Sequence, residues 1–214
     1  MGLRVEQLQL GPLETNAYVV RADGASEAVV VDPSGDAAEI RLRLAALGVR
    51  CTGILVTHGH WDHLLGVPDL AEGTGSPVYM AEGERVLLES PGSFTPPGVT
   101  LRPYTPDVLL RGGETIEVAG IAFDVRSVPG HSPAHLAYQA DGHLFSGDVL
   151  FAGSVGRTDL PGGDWSALLE SIRSLYDAYG PETVVYPGHG PVTTLAAELA
   201  RNPFLAELRA ETAG

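Results

Sequence analysis

Lysine is absent from the 214-residue sequence, so all 13 basic residues are arginine. Lineage or codon bias explains that absence better than function does. Cysteine occurs once, at Cys51, which excludes an intrachain disulfide. Lying just before the apolar run Ile54-Leu55-Val56, Cys51 reads as core rather than as a nucleophile. No apolar run approaches the roughly 20 residues that span a bilayer. The opening MGLRVEQLQL lacks a charged segment leading into an apolar one, so no signal peptide is expected. Together with the lone cysteine, this points to the cytoplasm. Positive charge is scarce: 27 acidic residues leave a net charge of -14. Such a chain repels phosphate backbones and anionic lipid, which argues against nucleic-acid or membrane partners. Hydrophobic residues at 44% and charged residues at 19% are ordinary globular usage, and the length suits one domain over 1–214.

What is present reads as strands and helices in two rough halves. Val5 to Leu10, Ala17 to Arg21 and the β-branched Ala28 to Asp32 predict three strands. Asp36 and Glu39 form a capping box for a helix that Gly48 stops, with Ile40, Leu42, Leu44 and Leu47 as its apolar surface. A strand over Gly53 to Thr57 follows, then a helix after His63, a strand over Val78 to Met80 and a helix over Glu82 to Glu89. Pro91 to Asp107 reads as a loop. Four strands come next, over Thr115 to Val118, Ile121 to Val128, Leu136 to Gln139 and His143 to Phe145. Asp164 caps a helix with the stripe Leu168, Leu169, Ile172, Leu175, Tyr176 and Tyr179. A strand over Thr183 to Tyr186 and a final helix over Leu195 to Arg201, stopped by Pro203, complete a layered α/β sandwich.

Four separate apolar runs end alike. ILVT leads into His58-Gly-His60-Trp-Asp62-His63, FDVRSVPG into His131, HLFSG into Asp148, and TVVYPG into His189. Metal-binding residue types at strand ends are what a rigid sheet needs to converge ligands. His58, His60 and Asp62, at i, i+2 and i+4, share a side of an extended segment but not of a helix. The cluster therefore reads as a strand-end loop. Imidazole plus carboxylate suits zinc, iron or manganese.

THGHWDH (Thr57 to His63) resembles the signature of the metallo-β-lactamase superfamily, and the resemblance extends from GPLETNAY and VVVDP to PGHGPVTTL. Within it, GDVLFAGSVGRTDLPGGD (Gly147 to Asp164) looks like the short bacterial branch of the glyoxalase II group. The resemblance implies a four-layered αββα sandwich with mixed sheets and a metal site at one edge. It implies two divalent metal ions, zinc first: one on His58, His60 and His131, the other on Asp62, His63 and His189, with Asp148 bridging. It further implies cleavage of a small-molecule thioester of the hydroxyacylglutathione type by a metal-bound hydroxide, with Asp62 and Asp148 as catalytic residues, in a monomer or homodimer. A thiolate, with a thiol pKa of roughly 8.5, leaves without a strong acid.

Several neighbours carry two readings. Arg157 either binds a substrate carboxylate or pairs with Asp159. Asp32 either supports a ligand histidine or forms a turn. Tyr138 and Trp61 read as packing, His143 as solvated, and His135 as surface or core. The longer glyoxalase II enzymes hold glutathione with a C-terminal region that includes basic residues, so here the carrier thiol stays open. Ala134 stands where relatives often have Gly. The rival within the same superfamily is a persulfide dioxygenase, using O2 at a single iron on His58, His131 and Asp148. A secreted β-lactamase is disfavoured by the missing signal peptide and by the bridging aspartate. The charge of -14 disfavours phosphodiester substrates.

Overall fold

A computed structural model describes residues 2–212. The first half runs β1 (Leu3–Leu10), β2 (Thr15–Ala22), β3 (Glu27–Val31), α1 (Ala37–Leu47), β4 (Arg50–Leu55), α2 (Trp61–Leu64), α3 (Val67–Thr74), β5 (Val78–Ala81), α4 (Arg85–Glu89) and β6 (Val108–Leu110). The second half runs β7 (Thr115–Val118), β8 (Ile121–Ser127), β9 (Leu136–Ala140), β10 (His143–Gly147), β11 (Leu150–Phe151), β12 (Ser154–Val155), α5 (Trp165–Ala178), β13 (Val184–Pro187), β14 (Thr193–Thr194), α6 (Leu195–Arg201) and α7 (Ala206–Thr212).

Each half builds a six-stranded mixed sheet. The first has the order β1-β2-β3-β4-β5-β6, antiparallel up to β3 and parallel from there. The second has the order β14-β13-β10-β9-β8-β7, with β10 and β13 parallel. Strand periodicity explains the layering. On β2 and β3, Tyr18, Val20, Val29 and Val31 pack between the sheets against Phe123, Val125, Tyr138 and Phe145. The alternate residues Ala17, Val19, Ala28 and Val30 meet Ile40, Leu44 and Leu70 of α1 and α3 on the outer side. Leu168, Ile172 and Leu175 of α5 cover the other sheet over Ala137, Leu144 and Val185. The result is the αββα sandwich. No helix among the described residues is long and apolar enough to cross a membrane.

Several expectations shift at the element ends. Asp36 caps α1 by accepting from Ala38 N at 2.8 Å, and Gly48 ends it at φ 67°. Leu42 points to solvent, 71% exposed, rather than contributing to the buried face. The helix over Glu82 to Glu89 divides into a 3-10 turn at Glu82–Glu84 and α4. Tyr179 lies past the end of α5 in extended backbone, its hydroxyl bonded to Asp124 at 2.6 Å. The helix that Pro203 stops is not the last. Pro203 opens a 3-10 turn capped by Asn202, and α7 follows, because proline suits a first turn as well as a break. Strand β6 and the β11/β12 pair had no sequence signal; at three and two residues these strands are too short to show periodicity.

Candidate metal centre

The ends of β4, β10 and β13 and the loop after β8 lie at one edge of the sandwich. His58 follows β4, His131 follows β8, Asp148 follows β10 and His189 follows β13. Backbone bonds tie these loops together: Gly188 N donates to Gly147 O at 2.8 Å, and Asn16 N donates to Gly188 O at 2.7 Å. Gly188 is required by crowding. A Cβ there would lie 2.0 Å from Asp148 Oδ1 and 2.7 Å from His63 Cε1. The extended reading of the first cluster holds through His60 (φ -69°, ψ 140°) and then fails. Asp62 and His63 sit on the single turn of α2, which reverses the chain so that both side chains meet ligands from the other sheet.

All seven predicted residues converge. His58 Nε2 lies 3.1 Å from His60 Nδ1, which lies 2.9 Å from His131 Nε2. Asp62 Oδ2 is 3.4 Å from His63 Nε2 and 3.3 Å from His189 Nε2. These two triads are each compact enough to hold an ion. Asp148 stands between them, with Oδ2 3.4 Å from His131 Nε2 and 3.5 Å from His189 Nε2, and Oδ1 3.4 Å from His63 Nε2.

The outer hydrogen bonds aim lone pairs inward. His131 Nδ1 donates to Arg157 O at 2.8 Å, and His63 Nδ1 donates to Asp32 Oδ2 at 3.0 Å, which turns each Nε2 inward, with its lone pair toward the cluster when the ring is neutral. Thr57 Oγ1 donates to Asp32 Oδ2 at 2.7 Å and so accepts from His58 Nδ1 at 3.1 Å. Thr15 Oγ1 donates to Asp62 Oδ2 at 2.8 Å. His63 Nε2 and Asp148 Oδ1 are buried with no hydrogen-bond partner. His58 Nε2 and His131 Nε2, both acceptors, face the one His60 Nδ1, which can donate to only one of them, beside an unpartnered buried carboxylate oxygen, and a cation among them would relieve that mismatch. The donor set thus fits metal.

Charge is unequal between the triads. Burial holds His58 well below the ordinary imidazole range, aided by the neighbouring rings. Burial, and then His131, hold His60 at about 4. In the other triad burial opposes charge but is outweighed. Asp148, Asp62 and Asp32 raise His63 well above its ordinary value, and hydrogen bonds to Asp148 and Asp62 raise His189 to about 9. Burial likewise opposes the two carboxylates, yet His63 and His189 keep Asp62 at about 2 and Asp148 well below the carboxylate range.

The remaining candidates separate cleanly. Asp32 fills both of its readings, as a positive-φ turn residue (47°) whose carboxylate supports His63. The Arg157 guanidinium lies at the cleft mouth and grips Asp159 with two contacts of 2.7 Å. Tyr138 is core, its hydroxyl donating to Val56 O, and Cys51 is buried. Trp61 departs from the packing reading and lines the cleft over the cluster, because the turn of α2 swings it outward. His143 is half-buried against Tyr186, bonded at 3.0 Å, rather than solvated, at the end of β10 opposite Asp148. His135 is core but not idle. Its ring stacks on His58 at 4.5 Å, and its Nε2 accepts from Asp148 N at 3.1 Å. Ala134 has no positive φ, so no glycine is needed there. Glu84 went unnoticed. It is buried, and its carboxylate accepts from Gly59 N, from Ser132 Oγ at 2.6 Å and from Ala134 N at 2.8 Å, joining the His58 loop to the His131 loop. As one of three glutamates in the stretch Glu82 to Glu89, it carried no distinguishing mark in the sequence. Thr15 lay within GPLETNAY but had no assigned role.

Comparison with known proteins finds relatives over most of the chain. Residues 10–189 match the family model of the metallo-beta-lactamase superfamily. The chain is 33% identical over 208 residues to the probable metallo-hydrolase YqgX of Bacillus subtilis, covering 95% of this chain and 98% of that protein. It is 33% identical over 211 residues to the hydroxyacylglutathione hydrolase GloC of Haemophilus influenzae, covering 95% and 98%. Among solved structures, the BLEG-1 B3 metallo-beta-lactamase is similar at 40% identity and TM-score 0.90, covering 95% of this chain and 100% of that one. A di-iron-bound form of TTHA1623 is similar at 39% identity and TM-score 0.73, covering 94% and 100%.

Proposed function

The chain belongs to the metallo-beta-lactamase superfamily, and from that premise we propose that it is a two-metal hydrolase of thioesters. The observation that carries the reading is Asp148, set within 3.5 Å of His131, His63 and His189 and so shared by both triads. His58, His60 and His131 would hold one divalent cation and Asp62, His63 and His189 the other. Zinc suits the donors, and iron, as in the TTHA1623 structure, or manganese would fit them too. Bound together, two such cations bring water close to deprotonation at neutral pH and polarise a carbonyl oxygen.

The chain's own groups prepare that chemistry. Thr15 and His189 fix Asp62, whose carboxylate faces the space between the triads and can orient an attacking water. Among the described residues lining the cleft, Glu84 is the carboxyl group outside the two triads and Asp148, and both of its oxygens already serve as acceptors, so it is not set to protonate a poor leaving group. A thiolate needs no proton donor, and the similarity to GloC supports a thioester over other esters. The similarity to BLEG-1 makes a β-lactam the competing substrate, a cyclic amide whose nitrogen would need that proton.

The test counts metals per chain, then compares hydrolysis of a lactoyl thioester and a β-lactam with oxygen uptake on a thiol persulfide. Two metals with thioester turnover are expected. A single iron with oxygen uptake and no hydrolysis would make it a dioxygenase, and β-lactam opening without thioester turnover an amide hydrolase. Asp148→Ala is expected to lose metal and activity together.

A further inference from the structure

The metal cluster forms the floor of a cleft of about 960 Å³. Its walls are apolar, with Leu13, Trp61, Leu87, Phe94, Phe151 and Leu160 around the opening. Leu13 is 51% and Phe94 52% exposed. Large apolar side chains left in water around a concave, polar-floored site are the mark of a surface that a ligand covers. Among the described residues lining the cleft, Arg157 is the single cation besides the histidines, and Asp159 holds it bidentately. The whole chain carries a net charge of -14.

A glutathione carrier brings two carboxylates, which are bound well only by charge-assisted donors. The cleft presents one cation, already occupied, within an acidic field that disfavours anions. An apolar arm, by contrast, would bury against walls that are otherwise wet. Resting on the hydrolase reading above, we infer that the preferred substrate is a thioester of an apolar acyl chain on a carrier thiol held without ionic recognition, not a glutathione thioester. The reaction adds the oxygen of water to the acyl carbon and breaks the carbon–sulfur bond. The thiolate leaves with the bonding pair and takes up one of the water's protons, while the other is released to solvent, giving a carboxylate and a free thiol.

The experiment uses fully metal-loaded protein and N-acetylcysteamine thioesters from acetyl to octanoyl, beside octanoyl- and lactoylglutathione. A buried methylene is worth up to about fourfold, so kcat/KM is expected to rise at least about tenfold from acetyl to octanoyl. Octanoylglutathione is expected to be no better than octanoyl-N-acetylcysteamine. Phe94→Ala and Leu160→Ala should cut octanoyl turnover about fivefold and acetyl turnover by less, so that the octanoyl-to-acetyl ratio falls. Calorimetric binding of the S-octyl thioethers of both thiols should show the same order without turnover. A flat chain-length profile, with lactoylglutathione preferred, overturns this inference and leaves the hydrolase standing. No hydrolysis of any thioester at full metal loading overturns the hydrolase reading, and this inference with it.

Discussion

A single carboxylate oxygen, Asp32 Oδ2, holds His63 Nδ1 at 3.0 Å while accepting from Thr57 Oγ1 at 2.7 Å. Asp32 sits at φ 47°, a region asparagine tolerates nearly as well. Asp32→Asn therefore keeps the turn but puts an amide where His63 needs an acceptor. We expect cation affinity of the Asp62, His63 and His189 triad to fall roughly 10–100-fold, with His58, His60 and His131 less affected. Competition with a chromophoric chelator, one equivalent at a time, would measure it. Equal weakening of both triads would contradict this role.

His135 tethers the backbone of Asp148 and stacks on His58. His135→Phe preserves the packing and removes the acceptor, leaving Asp148 N buried and unpaired. That should cost the metal-free protein about 1–3 kcal/mol and lower kcat more than it raises KM. His135→Gln, which keeps an acceptor, should recover part of both. Thermal unfolding with steady-state kinetics checks this, and wild-type values for the Phe variant would remove His135 from the site.

Gly188→Ala would push a methyl to within 2.0 Å of Asp148 Oδ1. The far-UV spectrum should be unchanged while metal is lost and turnover drops about 100-fold, as for a 1 Å misplacement. Full metal content in this variant would show that the loop relaxes freely.

The metal-free protein should be most stable near pH 6.5. Burial lowers His60 to about 4 from 6.5, so on acidification the unfolded chain takes its proton first and stability falls from about pH 6.5 toward 4. His189, raised to about 9 from 6.5 by Asp148 and Asp62, stabilises the fold fully below about 6.5 and loses that contribution as pH rises through 9. Asp62, held at about 2, contributes above 3.8 and fails only in stronger acid. A cation competing with the protons on His63 and His189 should abolish the alkaline loss. Its uptake at pH 7 should release protons into a weakly buffered solution. Denaturant unfolding across pH, with and without zinc, would show both, and an alkaline loss that persists with zinc would count against the ligand role of His189.

Much of the architecture was legible because strand and helix periodicities are local. AVVVD and the α5 stripe announce burial on particular sides, and Asp36, Gly48 and Asp164 cap as their chemistry demands. The seven cluster residues were equally legible, since each is a ligand type set just past an apolar strand. Elements of two or three residues escaped, as β6 and the β11/β12 pair are held by their partners rather than by their own pattern.

The linear order of residues thus determined which groups can bind cations and which segments carry them. Only the tertiary structure decided how those groups act together. Glu84, His135 and Thr15 gain their roles by lying beside loops 48, 13 and 47 residues away in the chain. The helical turn that aims Asp62 and His63, and the apolar walls over the cluster, arise in the same way. Hydrogen bonds and burial depend on distance in space, and the chain's local preferences do not encode which remote loop will arrive.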